Sequence, residues 1–533
     1  MSPVLAFKLV LLSLVAIIGL ELLAKRLRLP PAAAFLVGGI AMAFIPGLPD
    51  VELDPDLVLV VFLPPLLMDG AYFSVWDEFR RNLRGILMLA IGAVLFTTLV
   101  VGVAVHLVVP GLPWAACFAL GAIVSPPDAV AAKAVLERVA LPRRLMALLE
   151  GESLLNDATG LVLYRFAVAA ALTGAFSIQH AAAEFVVLAL GGVAVGVGVG
   201  MLLVRIIRVL TDEYLVITAS VLSAWISYIV GEWLEVSGVI ATVTTGMILG
   251  WHQHQVFSAT TRIRGTAFWQ MMVFLLEALV FLLIGLSLRG VFGRLGGTAD
   301  AVAYLAMPVT IVIVAVVLSR FVWVFATEAL KPVWHRLLHR RQARPDWRSA
   351  TIVSWAGMRG VVTLAIALAL PEAMPGRDLI LVAAFAVILV TVLVQGATIG
   401  LLIGMFDVGK MNAGEGVVKL TEPQAWARLE KAQLDAIRPL VFDADGKLLH
   451  PRLWEQYNYR AQLTERFRDS VFPDEARSAH FAVVLAGLAA ARAELLGMHR
   501  AGQLSDELLR HLEHDLDLQE VSSLHGSGGV GAG

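Results

Sequence analysis

Residues 150–160 read Glu150-Gly151-Glu152-Ser153-Leu154-Leu155-Asn156-Asp157-Ala158-Thr159-Gly160, inside an apolar run that extends over 145–172. On a helix, Glu152, Asn156 and Thr159 fall at i, i+4 and i+7, and Ser153 and Asp157 at i, i+4, which makes one polar face on an otherwise apolar rod. If the run crosses a bilayer, each ionisable group at depth costs about 2.5–3.5 kcal/mol even on a lenient scale. Such a face therefore turns away from lipid, toward a neighbouring helix or a wet cavity.

Composition places the run in a bilayer. Of 533 residues, 58% are hydrophobic and 16% charged, with a mean hydropathy of +0.79; soluble domains are about 45–50% apolar and about 25% charged. The charge is uneven: 32 charged residues lie in the last 124 positions and 52 in the first 409. That excludes a soluble enzyme, a secreted disulfide scaffold and a disordered chain, and leaves a charge-poor body with a polar tail. A net charge of −2 gives no footprint for nucleic acid. The single cysteine, Cys117, makes no internal disulfide.

Hydropathy divides 1–409 into thirteen apolar runs, near 5–24, 31–47, 57–76, 85–108, 113–135, 145–172, 182–207, 213–231, 236–251, 266–288, 301–327, 349–371 and 379–406. The first carries Lys25, Arg26 and Arg28 behind it instead of a small-residue cleavage site, so it reads as a retained span. Alternate loops hold nineteen basic residues, among them Arg80, Arg81, Arg84, Arg138, Arg143, Arg144, Arg205, Arg208, Arg262, Arg264, Lys331, Arg336, Arg340, Arg341, Arg344 and Arg348. The opposite side holds four, and the acidic segment 50–56. The asymmetry predicts an outside amino terminus and a cytoplasmic tail in a cell (inner) membrane, surrounded by lipid. An odd count predicts two inverted six-helix repeats joined by span 7, whose run Gly191 to Gly200 is a packing stripe.

Other polar groups sit at depth. Span 5 holds Ser125-Pro126-Pro127-Asp128; two prolines remove two donors and free carbonyls a turn earlier, a break tolerated where it lines a cavity and whose carbonyls suit a hard cation. Arg320, deep in span 11, needs a buried carboxylate, and Glu152 is the natural partner. In span 12, Trp355-Ala356-Gly357-Met358-Arg359-Gly360 allows a second break, where Arg359 either offsets charge in the site or anchors the break. Glu277 in span 10 is a candidate cavity lining or interhelical hydrogen bond, and Asp69 in span 3 a funnel or snorkelled residue. Glu21 reads as bland and His106 as interfacial.

On Gly151–Ala158, Ser125–Asp128, Trp355–Gly360, Phe281–Leu286 and Ser237–Ala241 the chain resembles the sodium/proton exchanger branch of the monovalent cation–proton antiporter superfamily, over essentially all of 1–409. The resemblance implies a homodimer of thirteen-helix protomers with broken helices 5 and 12 crossing at mid-membrane. It implies Asp157 as the carboxylate that takes cation or proton, Asp128 and Ser153 completing a Na+ site, and the Pro127 carbonyl as a further ligand. Asn156 and Thr159 belong to the same polar face, Glu152 pairs with Arg320, and Pro126, Gly357, Arg359 and Glu277 support the site. Asn156 in place of a second aspartate implies one-for-one, electroneutral exchange. Pro127-Asp128-Ala129 stands where the family has Thr-Asp-Pro, so the hydroxyl is gone and the break has moved.

The expected activity is secondary active exchange of Na+, with Li+ or K+ beside it, for H+, with no cofactor beyond the transported ions. The chain is expected not to be an enzyme. Rival readings are a K+(Na+)/H+ antiporter of the same fold, an intramembrane aspartyl protease using Asp128 and Asp157, whose Tyr-Asp and Gly-x-Gly-Asp pair is missing, and a channel. Residues 410–533 predict a cytoplasmic helical module, with helices near 421–439, 452–469, 478–498 and 503–519 and a Gly-rich end from Gly526. Its stripe Phe481, Leu485, Leu488, Leu495 reads as a packed helix face.

Overall fold

A run of apolar residues in a bilayer can satisfy its backbone only within itself, so the hydropathy runs become helices. In the computed structural model, residues 3–27, 29–46, 55–74, 76–128, 142–174, 177–294, 299–337, 345–406, 422–443, 447–466, 474–501, 503–504 and 506–526 are described. Among them the chain is all-helical, with one isolated bridge between Phe442 and Leu448. Eight helices are long and apolar enough to cross a membrane by length and composition. Seven of them lie between Phe7 and Phe406, and the eighth is Phe481–Arg500. The chain is a multi-pass membrane protein. It divides into two compact units, Met1–Ala413 and Gly414–Gly533.

Hydropathy marks where the apolar core ends, not where the helix does. Arg80, Arg81 and Arg84, expected in a loop, sit on the helix Trp76–Leu87, which continues through a π-helical turn, Met88–Ala93, into Val94–Val108. Arg205 and Arg208 likewise lie on Ile178–Val209, Arg262 and Arg264 on Ala259–Arg294, and Lys331 and Arg336 on Ala299–Leu337. Nothing in the backbone stops a helix at the edge of an apolar run, so these charges extend the rods. Arg28, Arg138, Arg340, Arg341 and Arg344, the second half of the expected run 113–135, and most of 50–56 lie outside the described residues.

Within the first unit the helices associate in two groups. In one, Pro31–Ala43 lies along Ala259–Arg294, and Gly238–Val256 packs on Ile178–Val209, Glu213–Trp233 and Leu63–Phe73. In the other, Trp114–Val124 lies between Val94–Val108 and Arg143–Thr173, while Ala299–Leu337 packs on Val94–Val108, Trp347–Trp355 and Arg377–Val390. The outward faces are apolar: Leu11, Val15, Ile18 and Leu22 form an exposed stripe at helical spacing on Pro3–Leu27. Where the groups meet, Val58, Phe62, Val280, Leu283 and Ile284 of the first face Val361, Leu364, Ala365 and Leu368 of the second. An ion pair, Arg165 to Glu232 at 3.2 Å, also joins Arg143–Thr173 to the end of Glu213–Trp233.

In the second unit, Glu422–Val441 packs on Pro451–Arg466, with Arg460 bonded to buried Glu430 at 2.5 Å. Asp474–Arg500 packs on Asp506–Gly526, with Arg492 paired to Asp517 and Glu520. On Asp474–Arg500 the more covered face holds Phe481, Leu485, Leu488 and Leu495.

Gly39 and Gly285 set the crossing of Pro31–Ala43 on Ala259–Arg294: a Cβ on Gly285 would collide with the Leu36 carbonyl, and one on Gly39 with the Leu282 carbonyl. Gly285→Val should therefore lower the melting temperature of the detergent-solubilised protein, by overpacking of about 1–3 kcal/mol or more. An unchanged melting curve by intrinsic fluorescence would contradict this packing.

Candidate functional site

Two helix breaks meet at the centre of the second group. Trp114–Val124 ends at Ser125, and residues 125–128 are non-helical, as Pro126 and Pro127 require. Trp347–Trp355 ends one residue before 356–360, and the helix resumes as Val361–Leu368. The breaks bond to each other. Asp128 N–H donates to the Met358 carbonyl at 2.6 Å, and Val361 N–H donates to Asp128 Oδ2 at 3.3 Å. Asp128 thereby caps the start of Val361–Leu368, where a carboxylate is favoured by the helix dipole. Gly360 leaves room for it, since a Cβ there would overlap that carboxylate.

The freed carbonyls find partners in turn. The Ser125 hydroxyl donates to the Ala122 carbonyl at 3.1 Å and lies 3.2 Å from the Thr98 hydroxyl. Arg359, 1% exposed, donates from Nε to the Val124 carbonyl at 2.8 Å, and from its two terminal nitrogens to the Ser125 and Gly357 carbonyls. These bonds join the two breaks through the Arg359 side chain. Its backbone N–H donates to the Thr391 hydroxyl at 3.1 Å. Pro127 does not leave its carbonyl bare: Asn156 Nδ2 donates to it at 2.5 Å. Asn156 Oδ1 is buried and bonds no group among the described residues.

The helix Arg143–Thr173 shows two polar faces where the spacing predicts one. Glu150, Ser153, Leu154 and Asp157 line a cavity together with Asp128, Asp69, Gly70, Glu277 and Val361. Asp157 is 7% exposed. Glu152 and Asn156 lie about 100° further round the helix and turn to the breaks. Glu152 takes a bidentate pair from Arg320, Nη1 to Oε1 at 2.5 Å and Nη2 to Oε2 at 2.8 Å, and Arg320 Nε donates to the Val353 carbonyl at 3.0 Å. Gly357 lies against Arg320 and Arg359, so two guanidinium groups sit beside one glycine. Thr159 is not among the cavity residues; its hydroxyl donates to the Leu155 carbonyl, as a threonine within a helix does. Pro126 packs on Gly160.

Two residues escape the sequence reading. Glu150 lines the cavity, and its spacing of three and seven residues from Ser153 and Asp157 carries that signal. Thr391 reaches the second break from another helix, and no spacing reveals that. The weaker candidates Asp69 and Glu277 both line the cavity, from helices of the other group. Glu21 pairs with Lys25 at 3.8 Å, and His106 stacks on Trp114.

The sequence profile described as "Sodium/hydrogen exchanger, transmembrane" matches residues 10–403. The chain belongs to the sodium/hydrogen exchanger family. It is similar to an uncharacterized Na(+)/H(+) exchanger, Rv2287, of Mycobacterium tuberculosis, with 33% identity over 94% of this chain and 93% of that one. It is 33% identical to the sodium, potassium, lithium and rubidium/H(+) antiporter of Bacillus subtilis, over 70% of this chain and 57% of that one. Its fold is that of the sodium proton antiporter MjNhaP1 of Methanocaldococcus jannaschii, with a TM-score of 0.60, 21% identity, and coverage of 75% of this chain and 98% of that one. A member of this exchanger family is a transporter and not an enzyme, which sets the protease reading aside.

Glu152 and Arg320 are both buried, so removing one leaves an uncompensated charge, at a cost of about 3–5 kcal/mol. Arg320→Leu should sharply reduce the yield of folded dispersed protein in size-exclusion chromatography. Glu152→Leu combined with Arg320→Leu should recover part of it. Equal losses in the single and double variants would contradict an isolated pair.

Proposed function

We propose that this exchanger carries a monovalent cation, Na+ first, in exchange for H+ at the Asp157–Asp128 cavity. The observation that carries the reading is a buried carboxylate, Asp157, on a cavity between two helix groups, beside two helix breaks that hydrogen-bond to each other. A buried carboxylate is stable when neutralised, by a proton or by a cation, and the two compete for one place. Asp128 and Ser153 border the same cavity and supply further oxygens. The Pro127 carbonyl faces Asn156 and joins a bound cation only as a shared acceptor.

Exchange then follows by alternating access, the group that carries the breaks moving against the other. The apolar contact of Val58, Phe62, Val280, Leu283 and Ile284 with Val361–Leu368 supports closure on one side, and the acidic cavity supports access from the other. With Asn156 leaving one aspartate in the pair, one charge crosses each way and exchange is electroneutral. The full reading is thirteen spans in two inverted repeats, paired as a dimer, in the cell membrane, with the amino terminus outside and the 410–533 module in the cytoplasm. The name of the Bacillus relative supports K+ beside Na+ as the second reading.

In proteoliposomes with a preset pH gradient and a fluorescent pH reporter, Na+ and Li+ should collapse the gradient. A response to K+ and Rb+ of equal size would favour the second reading. Asp157→Asn should abolish the response to every cation while the protein remains monodisperse; retained exchange in that variant sinks the proposal.

A further inference from the structure

Asp128 is held twice by one short segment: its N–H by the Met358 carbonyl, its carboxylate by the Val361 N–H. Between those two bonds lies Arg359, whose own N–H is buried and donates to the Thr391 hydroxyl at 3.1 Å. That hydroxyl is turned to accept because it spends its proton on the Val387 carbonyl, at 2.7 Å. Thr391 is 1% exposed and opens a π-helical turn, Thr391–Gln395, within the otherwise regular helix that runs from Arg377 to Phe406. Such widened turns within helices recur at functional sites.

We propose that Thr391 is a positioning residue for the exchange site: through Arg359 it sets the Met358–Val361 segment, and through that segment the place of Asp128. The inference rests on the proposed role of the Asp157–Asp128 cavity. The Arg359 side chain clamps the first break, and its backbone bond to Thr391 ties the middle of the second break to a helix outside the crossing. A buried N–H that loses its acceptor does not stay in place, because no water reaches it. The segment then shifts, and Asp128 shifts with it.

The test compares Thr391→Val, isosteric but without the hydroxyl, with Thr391→Ser, which keeps it. In proteoliposomes Thr391→Val should raise the KM for Na+ several-fold, with kcat changed less than KM, and Thr391→Ser should restore the wild-type KM. In detergent, the rise in melting temperature on adding Na+ should shrink in Thr391→Val and persist in Thr391→Ser. Added to Asp128→Asn, Thr391→Val should raise the KM no further. A wild-type KM in Thr391→Val, or equal effects of Val and Ser, overturns the proposal, the latter by assigning the residue to packing. If Thr391→Val does not fold, Thr391→Ala replaces it under the same criteria. Retained exchange in Asp157→Asn would instead overturn the cavity reading, whatever Thr391 does.

Discussion

No backbone polar group at membrane depth can turn to water, and Pro126-Pro127 breaks a helix there. The rest of the site depends on how that debt is met. The Ala122 carbonyl takes the Ser125 hydroxyl, Val124 and Ser125 take Arg359, Pro127 takes Asn156, and Asp128 bonds to Met358 and Val361. Four of these five partner residues, Arg359, Asn156, Met358 and Val361, lie elsewhere in the chain, so the break is satisfied only by tertiary contacts. The two breaks, the Arg143–Thr173 helix and the turn at Thr391 are one hydrogen-bonded assembly.

Charge follows from the same requirement. A guanidinium that satisfies carbonyls brings a positive charge with it, and Arg359 lies beside a second one, Arg320. Glu152 takes Arg320 in a bidentate pair, and the Asp128 carboxylate accepts from the Val361 N–H. Asp157 is buried on the cavity, with no such clamp among the described residues. On one helix, then, Glu152 pairs with Arg320, and Asp157, five residues later, lines the cavity. The 3.6-residue period separates these tasks, since 150, 153 and 157 share one side and 152 and 156 the other.

The cavity lies where the two helix groups meet. Its walls come from both: Asp69 and Glu277 from one, Glu150, Asp157 and Asp128 from the other. Beyond it the contact is apolar, Phe62 and Ile284 against Leu364 and Leu368, a surface that separates without leaving bonded polar groups unpaired.

The order of apolar runs, the depth of the charged residues and the two break sequences were determined by the amino-acid sequence alone. Period and hydropathy are local properties, and a proline acts on its own helix wherever that helix goes. The Glu152–Arg320 pair was legible too, because a deep arginine admits few partners. Tertiary structure decided the rest. Asn156 donates to the very carbonyl that the family pattern implies as a cation ligand, Thr159 stays on its own helix, Arg359 donates to carbonyls of the first break, and Thr391 reaches the second from 32 residues away. Those assignments depend on which atoms meet across helices distant in the chain, and periodicity along a single helix carries no record of its neighbours.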